Sequence, residues 1–173
     1  MMSAKLIEGF SAQVMREYYS GYFYLQMAAW CDSNALSGMS AWFRVQAQEE
    51  MCHGLMFYNY LLERNANIKL AAIPAPPSEF SSGTDVFQKG LEHEYTVTAS
   101  INALMDQAIA DNDHASRSFL NWFVDEQVEE ESNFSKVVDQ LKLFGSDPKS
   151  LLMIDKELGT RVFALPAPLV GKV

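Results

Sequence analysis

The chain has 173 residues, 49% of them apolar and 20% charged, which suits one globular domain able to bury a core without disulfides. Thirteen Lys and Arg against 22 Asp and Glu leave a net charge of −9, which argues against nucleic acid or an anionic membrane as a partner. No apolar run approaches the roughly 20 residues of a membrane span, the N-terminus lacks an apolar signal core, and two cysteines make no disulfide framework. The expected compartment is therefore the cytoplasm.

Strict apolar/polar alternation is missing, and apolar residues recur every three or four positions, so the expected class is all-α. Helices are predicted at about 4–33 (α1), 38–65 (α2), 85–112 (α3) and 114–144 (α4), with a short fifth at about 148–158 (α5). Ser37-Gly38 is expected to turn the chain between α1 and α2. Asn112-Asp113 is expected to do so between α3 and α4, with Asp113 as N-cap. The segment 67–84 carries Pro74, Pro76, Pro77 and Gly83, too long for a tight turn and too rich in proline for a helix. It would carry the chain from one end of a bundle to the other. Gly145 is expected to stop α4, and Asp147-Pro148 to open α5. The domain reading is a bundle with its fifth helix over 1–159. A tail over 160–173 contains Pro166 and Pro168 and is expected to be extended or loosely docked.

The inward stripe of each long helix is apolar at both ends and broken by an acid in the middle. In α1 it runs Phe10, Val14, Glu17, Gly21, Tyr24, Ala28, and in α2 Met39, Phe43, Gln46, Glu50, His53, Phe57, Tyr60. In α3 it runs Phe87, Leu91, Glu94, Thr98, Ile101, Met105, and in α4 Leu120, Phe123, Gln127, Glu130, Phe134, Val137, Leu141. Folding about the two tight turns brings Glu17 opposite His53 and Glu94 opposite Glu130, so four acids and one imidazole meet at one depth. Buried carboxylates without partners are very costly, and cations between them remove that penalty. Oxygen ligands with one imidazole suit Fe, Mn or Zn. Glu50 and His53 stand at i and i+3 on one helix face, as in di-iron bundles, but α4 offers Gln127 and Glu130 with no second histidine. Glu126 and Glu129 share a face beside Glu130, whereas Glu131 lies off it and is expected to be solvated.

Four stretches carry a specific resemblance: Glu17-Tyr18-Tyr19-Ser20, Ala47-Gln48-Glu49-Glu50-Met51-Cys52-His53, His93-Glu94, and Glu126-Gln127-Val128-Glu129-Glu130-Glu131. The chain resembles bacterial non-haem ferritin from about residue 5 to Leu158, and the tail after Glu157 is least like that family. The resemblance implies an all-α, ferritin-like antiparallel four-helix bundle with one long crossover and a short fifth helix. It implies a first iron held by Glu17, Glu50 and His53, with Glu50 bridging. A second would be held by Glu94 and Glu130 with Gln127 beside it. A third position would draw on Glu49, Glu126, Glu129 and Glu130. Tyr24 matches the family's tyrosine next to the iron pair, and Trp122 is a nearby aromatic. Met51 stands where haem-binding relatives carry the haem methionine, but no haem is expected. His93, His114, Cys31 and Cys52 are expected to be structural or surface groups.

The implied activity is iron storage with ferroxidase chemistry: Fe(II) oxidised by O2 or H2O2 at an intrasubunit di-iron centre, and ferric mineral laid down inside a homo-oligomeric cage of 24 subunits. The alternative is a di-iron peroxidase or oxidase of the rubrerythrin or bacterioferritin type, which would favour a second histidine motif in α4.

Overall fold

The computed structural model describes residues 2–169; Met1 and the last stretch of the predicted tail, 170–173, lie outside the described residues. The helices are α1 Ala4–Ser33, α2 Ser37–Glu63, α3 Gly83–Ala110, α4 His114–Phe144 and α5 Pro148–Leu158, followed by a 3-10 turn at Ala167–Leu169. Bounds for α1, α4 and α5 agree with expectation, and α2 and α3 begin and end one or two residues early. Among the described residues there is no strand, and no helix is long and apolar enough to cross a membrane.

Four helices start on a side-chain cap. Ser3, Ser82, Asp113 and Asp147 accept from the backbone N–H groups of Leu6, Asp85, Ser116 and Ser150. α2 has no such cap, because the apolar Leu36 occupies that position. Its first amides are satisfied from a distance. Gly38 N donates to Asp155 Oδ2 at 3.0 Å and Met39 N to Asp155 Oδ1 at 2.8 Å, so a carboxylate on α5 caps α2.

This arrangement corrects the expected turn. The chain reverses at Asn34-Ala35-Leu36, with Ala35 at φ 60°, and Ser37 and Gly38 already lie inside α2. Gly38 serves close approach instead, since a Cβ there would lie 1.6 Å from the Asp155 carbonyl oxygen.

α1 packs antiparallel against α2 and also meets α3, and α3 packs against α4. The start of α3 at Gly83 lies against Leu36 and Met39, beside the start of α2. The connection therefore returns the chain along the whole length of α2, and α2 and α3 run parallel. Twenty-seven residues make α2 about 40 Å long. The extended segment 64–82 spans up to ~60 Å, which is ample. Phe80 anchors its far end by packing on Trp30 and Phe23.

The apolar core is divided. One cluster, around Tyr24, Phe43, Phe87 and Phe134, fills the end that α5 closes. The other, around Phe10, Phe57, Leu61 and Phe123, fills the opposite end. Between them lies a buried polar layer. The predicted stripes hold with two shifts, both in α3: Thr98 and Met105 are only half-buried, and Val97, Leu104 and Ala108 take the inward positions.

The described part of the tail, 160–169, has no helix or strand before its 3-10 turn, is largely exposed and is held at two points, in keeping with an extended or loosely docked segment. It leaves α5 with Arg161 over the Trp42 ring, and at the last described residue Leu169 joins the cluster of Met56, Tyr60 and Phe119. Leu169 is 2% exposed. The segment thus straps the groove between α2 and α4, whose backbones make little close contact.

Asp155→Ala is expected to cost about 1–2 kcal/mol through loss of the remote cap. Gly38→Ala is expected to undock α5 outright. Amide exchange of Gly38, Met39 and residues 148–158 reads both; unchanged protection in Asp155→Ala would contradict the capping role.

Candidate metal centre

The polar layer is built from the middle turns of four helices. Glu17 comes from α1, Glu50 and His53 from α2, Glu94 from α3 and Glu130 from α4, and all five are between 1% and 3% exposed. Each acid receives amide or hydroxyl donors. Gln13 and Gln46 stand one turn before Glu17 and Glu50 on the same faces. Gln13 Nε2 donates to Glu17 Oε1 at 2.8 Å, and Ser100 Oγ donates to Gln13 Oε1 at 2.8 Å. Gln46 Nε2 donates to Glu130 Oε2 at 2.7 Å and to Glu50 Oε1 at 3.3 Å, so one amide ties α2 to α4. Gln127 Nε2 donates to Glu94 Oε2 at 3.0 Å and to Thr98 Oγ1 at 3.2 Å. The Tyr24 hydroxyl donates to Glu94 Oε1.

Among the described residues, Glu17, Glu50 and His53 form the one acid/imidazole trio whose ligand atoms all lie within 4.8 Å of one another. His53 Nδ1 is 3.4 Å from Glu50 Oε2. Its Nε2 is buried without a hydrogen-bond partner, and Glu126 Oε1 stands 3.9 Å away on that side.

Burial sets the electrostatics. It raises the Glu17 carboxyl well above 4.5, and Glu50 raises it further. Burial and then Glu94 do the same to Glu50. Burial, then Glu94 and Glu50, act on Glu130, and burial raises Glu94 itself. The Tyr24 phenol is pushed up by burial and by Glu94. Mutual repulsion among Glu50, Glu94 and Glu130 shows that they share one field. Protonation relieves such repulsion, and a cation bound among the acids would do the same. The donor set of oxygens with one imidazole fits iron.

The remaining candidates fall at different distances from this centre. Glu126 is half-buried beside His53, and Glu129 is exposed. Glu49 is half-buried and accepts from Arg161 Nη2. Glu131 corrects the expectation of a solvated acid, since it is half-buried and accepts from Thr98 Oγ1 at 2.6 Å. Trp122 lies edge-on to the His53 ring at 5.4 Å.

His93 sits 2.8 Å from Ser20 Oγ among the rings of Tyr19, Phe23 and Tyr24, and burial lowers its pKa to about 4. That neutral, packed state matches the structural reading. His114 and Met51 are exposed. Cys31 is buried, with its thiol pushed up to about 12 by burial, and Cys52 is half-buried.

Three residues of the site were not singled out from the sequence. Gln13 and Gln46 carried a usable signal, because each stands four residues before a stripe acid. Arg161 carried none, because its place depends on how α5 and the tail dock.

Comparison with known proteins agrees with the fold. A model of the ferritin-like domain matches residues 7–144. Bacterial non-heme ferritins of Staphylococcus saprophyticus and Staphylococcus aureus are 41% identical over 163 residues, covering 94% of this chain and 98% of theirs. An engineered closed form of the Archaeoglobus fulgidus ferritin superposes with a TM-score of 0.93 at 42% identity, over 95% of this chain and all of that one. An open-pore ferritin from the same archaeon gives 0.92 at 42% identity, over 94% of this chain and all of that one.

Raised carboxyl pKa values carry a sign. The groups stabilise the metal-free fold fully below about pH 4.5, and that contribution is lost as pH rises through the raised values. Thermal unfolding of metal-free protein is expected to show stability falling above pH 4.5, with Zn(II) flattening the slope and releasing protons. The same slope in Glu50→Gln as in wild type would contradict the assignment.

Proposed function

The chain belongs to the ferritin family, and from that premise we propose that it stores iron and that its buried layer is a ferroxidase centre. The observation that carries the reading is the Glu17, Glu50 and His53 trio, buried at one depth with Glu94 and Glu130, with no Lys or Arg ion pair to these acids among the described residues. Two Fe(II) ions are the substrates. Glu17 and His53 would hold the first, Glu94 and Glu130 the second, with Glu50 between them. Gln127 would hold Glu94 in position, and Gln46 would hold Glu50 and Glu130.

The chemistry follows from charge. Each Fe(II) gives up one electron, and the pair supplies the two electrons that take dioxygen to hydrogen peroxide or peroxide to water. Carboxylates stabilise Fe(III) more than Fe(II), because attraction grows with ionic charge, and this favours oxidation. The apolar clusters on either side limit water to the layer and fix the spacing of the ligands. Tyr24, hydrogen-bonded to Glu94, is placed to steady that ligand and to move a proton or an electron at the hydroxyl.

Storage also needs product to leave. A centre with one histidine and several acids holds Fe(III) less permanently than one with two Glu-x-x-His motifs. The rubrerythrin or bacterioferritin alternative would be favoured by such a second motif, and Gln127 and Glu130 stand there instead. Glu49, Glu126, Glu129 and Glu130 are proposed as a third iron position on the way out. Closure into a cage of 24 subunits and a cytoplasmic setting complete the reading, with residues 1–159 as the bundle and 160–173 as its tail.

Anaerobic protein given Fe(II) and then air is expected to show a fast, saturable phase at about two irons per chain. Glu50→Ala is expected to slow that phase more than the roughly 10–100-fold that loss of an outer partner costs. An undiminished fast phase in Glu50→Ala would contradict the centre. Gln127→His is expected to retain iron longer than wild type during chelation; equal retention would contradict the argument from the second histidine motif.

A further inference from the structure

The tail places a cation on the acids of the proposed third iron position. Arg161 donates through Nη2 to Glu49 and through Nη1 to Gln46 Oε1 at 2.6 Å, and its guanidinium covers the Trp42 ring at 4.4 Å. Trp42, Gln46 and Glu49 lie on successive turns along one side of α2, so the contact is a fitted seat for a planar fork. Burial raises the Glu126 and Glu130 carboxyls, and Arg161 lies close enough to offset part of that rise, whereas Glu49, Glu126 and Glu129 repel one another. The strap between α2 and α4 holds the residue there from both sides, with α5 before it and the buried Leu169 after it.

We propose that Arg161 is a built-in counter-cation that competes with iron for the Glu49, Glu126 and Glu129 cluster and must leave Glu49 before a third metal is held there. The inference rests on the third-position reading above and deepens it. The protein then avoids stacking uncompensated acids beside the centre when no iron is present. It also keeps the third position weak, so that iron passes through instead of staying.

The second hydrogen bond gives the displacement a consequence. Gln46 accepts from Arg161 with its oxygen and donates to Glu130 and Glu50 with its nitrogen. Departure of the guanidinium frees one side of the amide that orients two ligands of the pair. Arg161 is therefore a positioning residue for the centre as well as a competitor at its exit.

The test is calorimetric titration of the metal-free assembly with Zn(II), which is redox-inert, in wild type, Arg161→Gln and Arg161→Lys. An apparent dissociation constant rises by the inverse of the competent fraction, so a third position left open about a tenth of the time is weakened roughly tenfold. Arg161→Gln is expected to tighten the third Zn(II) about tenfold and, because Gln46 loses the donor that orients it, to weaken Zn(II) at the two central sites. Arg161→Lys is expected to fall between, because an ammonium cannot hold Glu49 and Gln46 together as a fork does. Glu129→Gln in the Arg161→Gln background is expected to abolish the gain.

A third site unchanged or weakened in Arg161→Gln overturns the proposal. If that variant does not assemble, crystals of wild type soaked in Zn(II) decide: a third metal on Glu49 with the guanidinium moved away supports competition, and both on Glu49 together overturns it. Absence of the two central sites in wild type would count instead against the centre itself.

Discussion

Charge taken out of water in the middle of a bundle governs this molecule. Four carboxyls and an imidazole share one layer in which the protein supplies amides and a phenol as donors. No guanidinium or ammonium pairs with them among the described residues. Donors of that kind orient a carboxylate without neutralising it, so repulsion remains and the proton affinities rise. On the metal-centre reading, a fold that keeps such a layer trades metal-free stability for a preset affinity for cations. The two apolar clusters above and below supply the burial that holds the helices together despite the layer.

The remainder of the architecture serves the alignment of that layer. Two tight turns set the depth at which α1 meets α2 and α3 meets α4. The long crossover lets α3 start beside the start of α2, which brings Glu94 level with Glu50. Remote capping of α2 by Asp155 locks α5 to the same end and delivers the tail into the α2–α4 groove. Arg64 does comparable work at the opposite end. Its fork grips both oxygens of Asp113, the residue that caps α4, and holds that carboxyl at about 2, well below the ordinary 3.8.

Much of this was legible in the residues because periodicity reports a helix face directly. An acid at a stripe position such as Glu17 or Glu94 stands out against apolar neighbours three and four residues away, and matching depth follows from counting to the nearest turn. Gln13 and Gln46 were equally placed, but a glutamine on a stripe reads as a tolerated polar residue until the acid one turn on is seen to need it. Contacts between residues far apart in sequence left no local trace. Gly38 looks like a turn residue, and only the docked Asp155 reveals a steric requirement. Arg161 looks like an ordinary charge in a loose tail, and Glu131 like one more solvated acid in a run. Gly38 and Arg161 owe their roles to α5 and the tail, whose docking no periodicity encodes, whereas Glu131 meets Thr98 across the α3–α4 pair.

The central claim is that the buried layer is a two-metal site. Anomalous diffraction at the iron edge, from crystals soaked anaerobically in Fe(II), tests it most directly. The account expects two peaks about 3.5–4 Å apart within the layer, one between Glu17, Glu50 and His53 and the other between Glu50, Glu94 and Glu130. Full occupancy of surface acids with no density in the layer would contradict it.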